Sequence, residues 1–307
     1  MEIMNLINAL PGAAAQGLIW GIMAIGVYLT YRILDVADLT VDGTMCTGGA
    51  VCIILMLNGC NVWAAMLAAA GAGMLAGLVT GIFHTFMGIP AILAGILTQL
   101  SLYSVNLKIM GKANQAINVD KYDLLVSLRY IKNVPVWQNT ILIVAVIIIV
   151  LIAALYWFFG TELGCSLRAT GCNPNMSRAQ GINTSRNTVI GLMLSNGLVA
   201  FSSALLAQYQ GFSDVNMGRG AIVIGLAAVI IGEAVFGKIF RNFGFKLLGV
   251  VLGSILYYLV LQTVIWLGID TDLLKLLSAL VVAVFLAFPY WKGKFTKPAK
   301  RGGNTNA

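Results

Sequence analysis

The sequence predicts an all-α membrane protein, a polytopic helical bundle with about nine transmembrane spans. Of the 307 residues, 59% are hydrophobic and only 10% are charged, and apolar runs of nearly 20 residues recur along the chain. About 20 apolar residues in a helix cross the hydrocarbon core of a bilayer. The runs lack the alternation that a β-barrel requires. Residues 1–291 are therefore expected to form a single transmembrane domain.

The length rule gives nine spans, with eight and ten as the neighbouring counts. The predicted spans are Ala13–Tyr31, Thr40–Leu57, Val62–Met87, Ala91–Leu107, Thr140–Phe159, Thr188–Gln208, Ala221–Phe236, Leu247–Leu267 and Leu273–Phe288. Gly73, Gly77 and Gly81 form a flat stripe on the third span, which favours close packing within the chain over a subunit interface.

The net charge of +8 reflects topology rather than nucleic-acid binding, because the basic residues collect between the spans. The connection 160–187, the loop around Lys238 to Lys246 and the tail 292–307 lie on one side, which the positive-inside rule makes cytoplasmic. The C-terminus is thus expected inside, as a disordered basic tail, and the N-terminus outside. Loop 108–138 is also basic, yet the alternation of spans places it outside.

The segment Cys165–Ile182 is polar and lies between two apolar spans. Asn173 can cap a helix, Pro174 suits its first turn, and Gly181 can adopt the left-handed conformation that ends it. A helix of about two turns gains little from burial and is marginal alone. We expect it to fit into a socket of a partner protein.

No catalytic motif is found, and the chain is not expected to be an enzyme or to bind a metal or cofactor. Gly232–Lys238 matches the spacing of a phosphate-binding loop, but Ile239 stands where the Mg²⁺-binding Ser or Thr belongs. The pattern also closes a span instead of joining a strand to a helix. Any energy from ATP must therefore come from another polypeptide.

Two polar breaks interrupt the apolar pattern. The first contains Asp38, Thr40, Asp42, Gly43 and Thr44. It is either a cytoplasmic turn that caps the second span, or a discontinuous helix that lines a translocation path.

The second break, 211–220, contains Asn216 and Arg219 and precedes the seventh span. Broken segments in corresponding halves point to a central pathway and to an inverted repeat, although the internal similarity is too weak to establish the repeat. Arg219 either contacts a transported solute or pairs with Asp214. Glu233 is expected near Lys238 at the inner interface.

Three motifs carry a family resemblance. The chain contains, in this order, the run Asp38–Val41, Asn173-Pro174 with Ala179 and Gly181-Ile182, and the run Ala227–Gly232. Together they resemble inner-membrane permeases of ATP-binding-cassette transporters of the branched-chain amino acid and ribose type. The resemblance covers the chain from Gly17 to about Phe288. Asp42 stands where the sugar-transporting members carry Gly, so the chain looks like the less characterised branch associated with amino acids such as tryptophan or tyrosine.

The resemblance implies a complex in the plasma (inner) membrane: two permease subunits, with a homodimer favoured, two cytosolic ATPases, and an extracytoplasmic binding protein that delivers the solute. It also implies that Cys165–Ile182 holds the coupling helix that contacts the ATPase. The expected coupling residues are Arg168, Asn173, Pro174, Met176, Arg178, Ala179 and Gly181. The expected path residues are Asp38, Thr40, Asp42, Gly43, Thr44, Asn216 and Arg219. The alternative is a stand-alone ion- or proton-coupled carrier that uses Asp38, Asp42 and Glu233.

Overall fold

The computed structural model describes residues 3–118, 121–122, 124–128 and 139–267, together with the isolated positions 273, 276, 279–280, 282–284 and 287. The elements are α1 (Ile3–Tyr28), a π-helical turn (Leu29–Ile33), α2 (Thr40–Leu57), α3 (Val62–Thr85), α4 (Ala91–Met110), β1 (Asn114–Ala116), α5 (Thr140–Phe158), α6 (Glu162–Cys172), α7 (Pro174–Ala179), α8 (Thr184–Gln210), β2 (Phe212–Asp214), α9 (Ala221–Phe236) and α10 (Phe243–Trp266).

The fold is a helical bundle, as predicted. Seven of the described helices are long and apolar enough to cross a membrane, and α9, with 16 residues, is apolar but shorter. These eight helices correspond to the first eight predicted spans. The count of nine is not confirmed, because the predicted span Leu273–Phe288 falls mostly outside the described residues. The predicted tail 292–307 lies outside them altogether.

The glycine stripe of α3 packs within the chain, as favoured from the sequence. A Cβ added at Gly73 or Gly77 would overlap the backbone carbonyls of Asn196 and Leu192 on α8. Because glycine has no side chain, the two backbones approach closely. The resulting van der Waals packing holds the helices together in lipid, where the hydrophobic effect does not drive helices to associate. Helices α3 and α8 therefore form a tight pair.

Helix α1 lies at the centre of the bundle, and three buried serines bind its backbone. Ser195 and Ser202 of α8 donate to the carbonyls of Gly26 and Ile19, each at 2.7 Å. Ser254 of α10 donates to the carbonyl of Gly17 at 2.8 Å. Buried hydroxyls need such partners. These bonds tie α8 and α10 to opposite faces of α1.

Two short strands depart from the all-α prediction. β1 and β2 pair antiparallel, with Asn114 opposite Asp214 and Ala116 opposite Phe212. β1 follows α4 and β2 follows α8, so the start of loop 108–138 lies at the same end of the bundle as the second break. We call this the strand end and the opposite one the α7 end. The strands were missed because each has only three residues.

Candidate functional site

The first break is a real interruption of helix geometry. α1 passes into a π-helical turn in which the amide of Leu34 donates to the carbonyl of Leu29 at 3.1 Å, and Asp35 then takes the left-handed conformation (φ 54°). The chain stays non-helical up to α2, where the carboxylate of Asp38, one residue before the N-cap Leu39, accepts the amide of Thr40 at 2.9 Å. The segment is thus both a turn before α2 and an interruption between two helical segments, which leaves its expected role in a translocation path a prediction.

Buried polar side chains join the start of α2 to its neighbours. Asn196 of α8 donates to the second oxygen of Asp38 at 2.7 Å and accepts the hydroxyl of Thr44 at 2.7 Å. The hydroxyls of Thr40 and Thr80 lie 2.7 Å apart. All five side chains are buried. Asp38, Thr40 and Thr44, which were expected to line a path, are instead engaged between helices, and Asn196 was not predicted.

The two breaks meet at Asp42. Its carboxylate accepts the amide of Gly220, the N-cap of α9, at 3.0 Å and that of Ile222, the second residue of α9, at 2.9 Å. These amides have no partner within the helix, and a negative charge at a helix N-terminus is stabilising. The side chain of Glu233 is twelve residues beyond Ala221, about 18 Å along α9. Asp42 therefore holds the start of α9 well away from the α7 end.

A cavity of about 250 Å³ lies where α2, α4 and the second break meet. We call it the α2–α4 cavity. Three expected path residues line it, Asp42, Gly43 and Arg219. Its other lining residues, which the sequence analysis did not single out, are Cys46, Gln99, Leu100, Tyr103, Asn106 and Val215.

Asn216 and Asp214 do not line this cavity. Asp214 accepts the backbone amide of Asn216 at 2.7 Å and the side-chain amide of Asn114 at 3.4 Å. No ion pair between Asp214 and Arg219 occurs in the described structure, so the interpretation in which they pair is not supported. Asn216 lies in the turn beside the cavity.

The predicted short helix is present at the α7 end. The side chain of Asn173 accepts the amide of Met176 at 3.0 Å, Pro174 occupies the first turn, and Gly181 has φ 81°. Met176 is 62% exposed, whereas Ser177 is buried against the bundle. The helix thus turns an apolar side chain outwards. The preceding residues form α6, capped by Thr161, which the sequence analysis had treated only as part of a polar segment.

Arg168 and Arg178 point to partners inside the chain. The guanidinium of Arg168 lies 4.3 Å from the ring centroid of Phe243 on α10 and 5.2 Å from that of Phe159. Such stacking is a cation–π contact. Nε of Arg178 donates to the hydroxyl of Thr184 at 2.8 Å. Arg168 was expected to face an ATPase, but its position suits a brace between α6 and α10 because aromatic rings cover its charge.

Glu233 pairs with Arg32 (Nε to Oε1, 3.1 Å) and not with Lys238. This ion pair joins the π-helical turn to α9 at the α7 end. His84, near the end of α3, has its Nδ1 2.9 Å from the carbonyl of Ile89 and is a satisfied histidine. Within the described chain, no three metal-ligating side chains come together.

The two breaks that meet at the start of α9 are accompanied by a family match over nearly the whole chain. Residues 10–287 match the model of the branched-chain amino acid transport system / permease component family. The chain belongs to this family. The resemblance drawn from the three motifs is therefore confirmed, and the protein is a multi-pass membrane transport permease.

Among the relatives, the "Tyrosine transport system permease protein" of Clostridioides difficile (strain R20291) is 39% identical over 272 residues, covering 89% of this chain and 88% of that protein. "Uncharacterized protein RP368" of Rickettsia prowazekii (strain Madrid E) is 34% identical over 282 residues, 91% and 97% of the two chains. The "Fructose import permease protein FruF" of Bifidobacterium longum (strain NCC 2705) is 26% identical over 251 residues, 80% and 68%. No solved structure matches the chain.

Proposed function

We propose that this chain is the permease subunit of an ATP-binding-cassette importer and forms the path for an amino acid. A cytosolic ATPase would contact α7, an extracytoplasmic binding protein would deliver the solute to the strand end, and a second copy would complete the path. The N-terminus would lie outside and the C-terminus in the cytoplasm. The permease itself would catalyse no reaction.

The observation that carries this proposal is α7. Six residues form a helix with a side-chain cap, a first-turn proline and a left-handed glycine stop, although isolated helices of this length are unstable in water. Its exposed face carries Met176 and Ala179, whereas its buried face rests on the bundle. A capped helix that exposes Met176 and Ala179 beside the polar Asn175 and Arg178 suits docking into a groove of another protein.

Contacts link α7 to the breaks. Arg178 binds Thr184 at the start of α8, and Asn187, further along α8, donates to Ser166 and Thr170 of α6 at 3.1 and 2.9 Å. α8 then reaches the first break through the bond between Asn196 and Asp38. A displacement of α7 would therefore act on α6 and α8 together. Asn196, near the middle of α8, in turn binds Asp38 just before α2.

An amino acid is favoured as the solute by the relative named for tyrosine transport, which covers most of both chains. Asp42 agrees with this branch, because the sugar-transporting members carry Gly at its position. The structure supplies a reason for the carboxylate: it caps α9 in the wall of the α2–α4 cavity.

Helix α4 favours a second copy. Six of the eleven residues from Thr98 to Lys108 are polar, and Ser101, Ser104 and Lys108 are exposed. α5, by contrast, has no polar residue from Ile141 to Leu155. Polar side chains are costly in hydrocarbon. We infer that α5 faces lipid and that α4 faces the second subunit or water in the path.

This inference is tested by disulfide cross-linking in membranes, with the exposed Cys60, Cys165 and Cys172 first replaced by Ser. Ser104→Cys is expected to cross-link two permease chains when oxidised. Val146→Cys, exposed on α5, is the control and is expected to remain monomeric. Equal cross-linking at both positions would count against the α4 interface.

The importer assignment is tested by reconstitution of the permease with its ATPase and binding protein in liposomes. Ala179→Arg and Gly181→Pro are expected to abolish solute uptake while the complex still hydrolyses ATP. Gly59→Pro is the matched control, because Gly59 also has a left-handed φ (84°) with open space around it but lies in the α2–α3 turn at the strand end. Normal uptake by well-expressed Ala179→Arg protein would contradict the assignment of α7 as the helix that couples the permease to the ATPase.

The alternative, a stand-alone carrier, would use carboxylates that already have partners in the structure. Asp38 binds Thr40 and Asn196, Asp42 binds the amides of α9, and Glu233 pairs with Arg32. Uptake by the permease alone, driven by an ion or proton gradient without any ATPase, would nevertheless establish it.

A further inference from the structure

The α2–α4 cavity has a polar atom that lacks a partner. Asn106 of α4 is fully buried, and its Nδ2 donates to the carbonyl of Gly43 at 3.4 Å. The carbonyl can only accept, which fixes the orientation of the amide. Oδ1 of Asn106 is left without a hydrogen bond among the described residues. Buried acceptors are rarely left unpaired, so a donor is expected to enter the cavity.

The same cavity has an unpaired cation. Arg219 is exposed and lines the cavity, and its guanidinium makes no ion pair with any residue that the structure describes. The two nearby acids are occupied, since Asp42 accepts the amides of Gly220 and Ile222, and Asp214 accepts that of Asn216. Guanidinium groups bind carboxylates through two parallel hydrogen bonds.

The rest of the wall is largely apolar. Leu100 and Tyr103 come from α4, and Val215 comes from the second break. Ligand sites generally combine such a wall with a few placed polar groups. A tyrosine ring in the wall can stack with another aromatic ring. A solute with one carboxylate, one nitrogen donor and an aromatic side chain matches all three features.

We propose that the α2–α4 cavity binds an aromatic amino acid as its zwitterion. Arg219 binds the carboxylate, Oδ1 of Asn106 accepts from the ammonium group, and Leu100 and Tyr103 contact the side chain. The carboxylate of Asp42, held at the start of α9, adds attraction for the ammonium group. This proposal rests on the proposed function and deepens it, because it gives the permease its own selectivity in addition to that of a binding protein.

The direct test is binding of tritiated L-tyrosine to the purified permease in lipid nanodiscs. The competitors are tyramine, which lacks the carboxylate, and 3-(4-hydroxyphenyl)propionate, which lacks the ammonium group. We expect each to compete at least tenfold more weakly than unlabelled L-tyrosine. Saturable binding without this order, or no saturable binding at all, would overturn the zwitterion site.

Two variants assign the two groups separately. Arg219→Gln should weaken tyrosine binding about tenfold, as expected for the loss of a charge-assisted hydrogen bond. The same variant should leave the affinity for tyramine unchanged. Arg219→Lys should restore part of the affinity for tyrosine. Asn106→Leu should weaken the binding of tyrosine and leave the affinity for 3-(4-hydroxyphenyl)propionate unchanged. Lys112→Gln removes a cation from the strand end outside the cavity and should leave the binding of all three compounds unchanged. A purely structural defect would weaken all three compounds alike and contradict the proposal.

Uptake by the reconstituted complex separates this proposal from the proposed function. ATP-driven tyrosine uptake whose KM is unaltered by Arg219→Gln and Asn106→Leu would overturn the site and leave the importer intact. Binding in nanodiscs with the expected analogue pattern, but uptake independent of ATP, would support the site and overturn the importer.

Discussion

Replacing Asp42 by Ala tests the junction of the two breaks. The change removes the acceptor of two backbone amides, those of Gly220 at 3.0 Å and Ile222 at 2.9 Å. Each buried donor left unsatisfied costs about 1–3 kcal/mol, and loss of charge at the helix N-terminus adds about 0.3–1 kcal/mol. Because water from the adjacent cavity can reach these amides, we expect the lower part of this range, about 2–4 kcal/mol.

The assay is unfolding of the purified permease in mixed micelles by titration with SDS, followed by tryptophan fluorescence and helix content. Asp42→Asn keeps one acceptor oxygen and should lose only about 1–2 kcal/mol. Asp214→Ala is the control: it also removes a carboxylate that accepts a backbone amide, but the bond is exposed and water replaces it. If Asp42→Ala unfolds within about 0.5 kcal/mol of the wild type, or no earlier than Asp214→Ala, the cap does not hold α9.

Three further substitutions test the packing and the route from α7. Gly77→Val should destabilise the bundle by at least about 1–3 kcal/mol in the same titration, because its side chain meets backbone of α8, whereas Gly71→Val, with open space on the same helix, should be neutral; equal effects would refute the α3–α8 contact. Arg168→Gln should lose about 0.5–2 kcal/mol of the stacking on Phe243 and reduce uptake per ATP hydrolysed; unchanged uptake per ATP would exclude a role for this brace in coupling. Asn196→Leu breaks both bonds between α8 and the first break, so uptake should fall more than ATP hydrolysis does, and a parallel fall in both would point to simple misfolding.

Local signals predicted the elements well. The bounds of α2 and α9 agree with the predicted spans Thr40–Leu57 and Ala221–Phe236, because polar breaks flank both apolar runs. The short helix α7 was predicted with its cap, first-turn proline and glycine stop. These features depend on a few neighbouring residues. Such local chemistry is visible in the sequence.

Contacts between distant residues were not predictable in the same way. Asp42 was recognised as unusual, but its partners are 178 and 180 residues away. Arg168 looked like a surface cation, although rings from two other elements cover it. The cavity residues of α4 were missed because α4 was treated as an ordinary span. The excess of polar residues from Thr98 to Lys108 was the available signal.

The position of α9 indicates how a displacement of α7 by the proposed ATPase would reach the cavity. One end of α9 is held by Asp42, and the other is held by the ion pair between Glu233 and Arg32. Both partners belong to the segment that runs from the π-helical turn to the first turn of α2. The two breaks and α9 are thus tied into one unit, and α7 reaches this unit through α8 and the bond from Asn196 to Asp38. Arg219 adjoins this unit, whereas Asn106 lies across the cavity on α4. A push on α7 would therefore change the separation of the two groups that we assign to the carboxylate and the ammonium group. In the proposed importer, this change would couple solute affinity to the state of the ATPase.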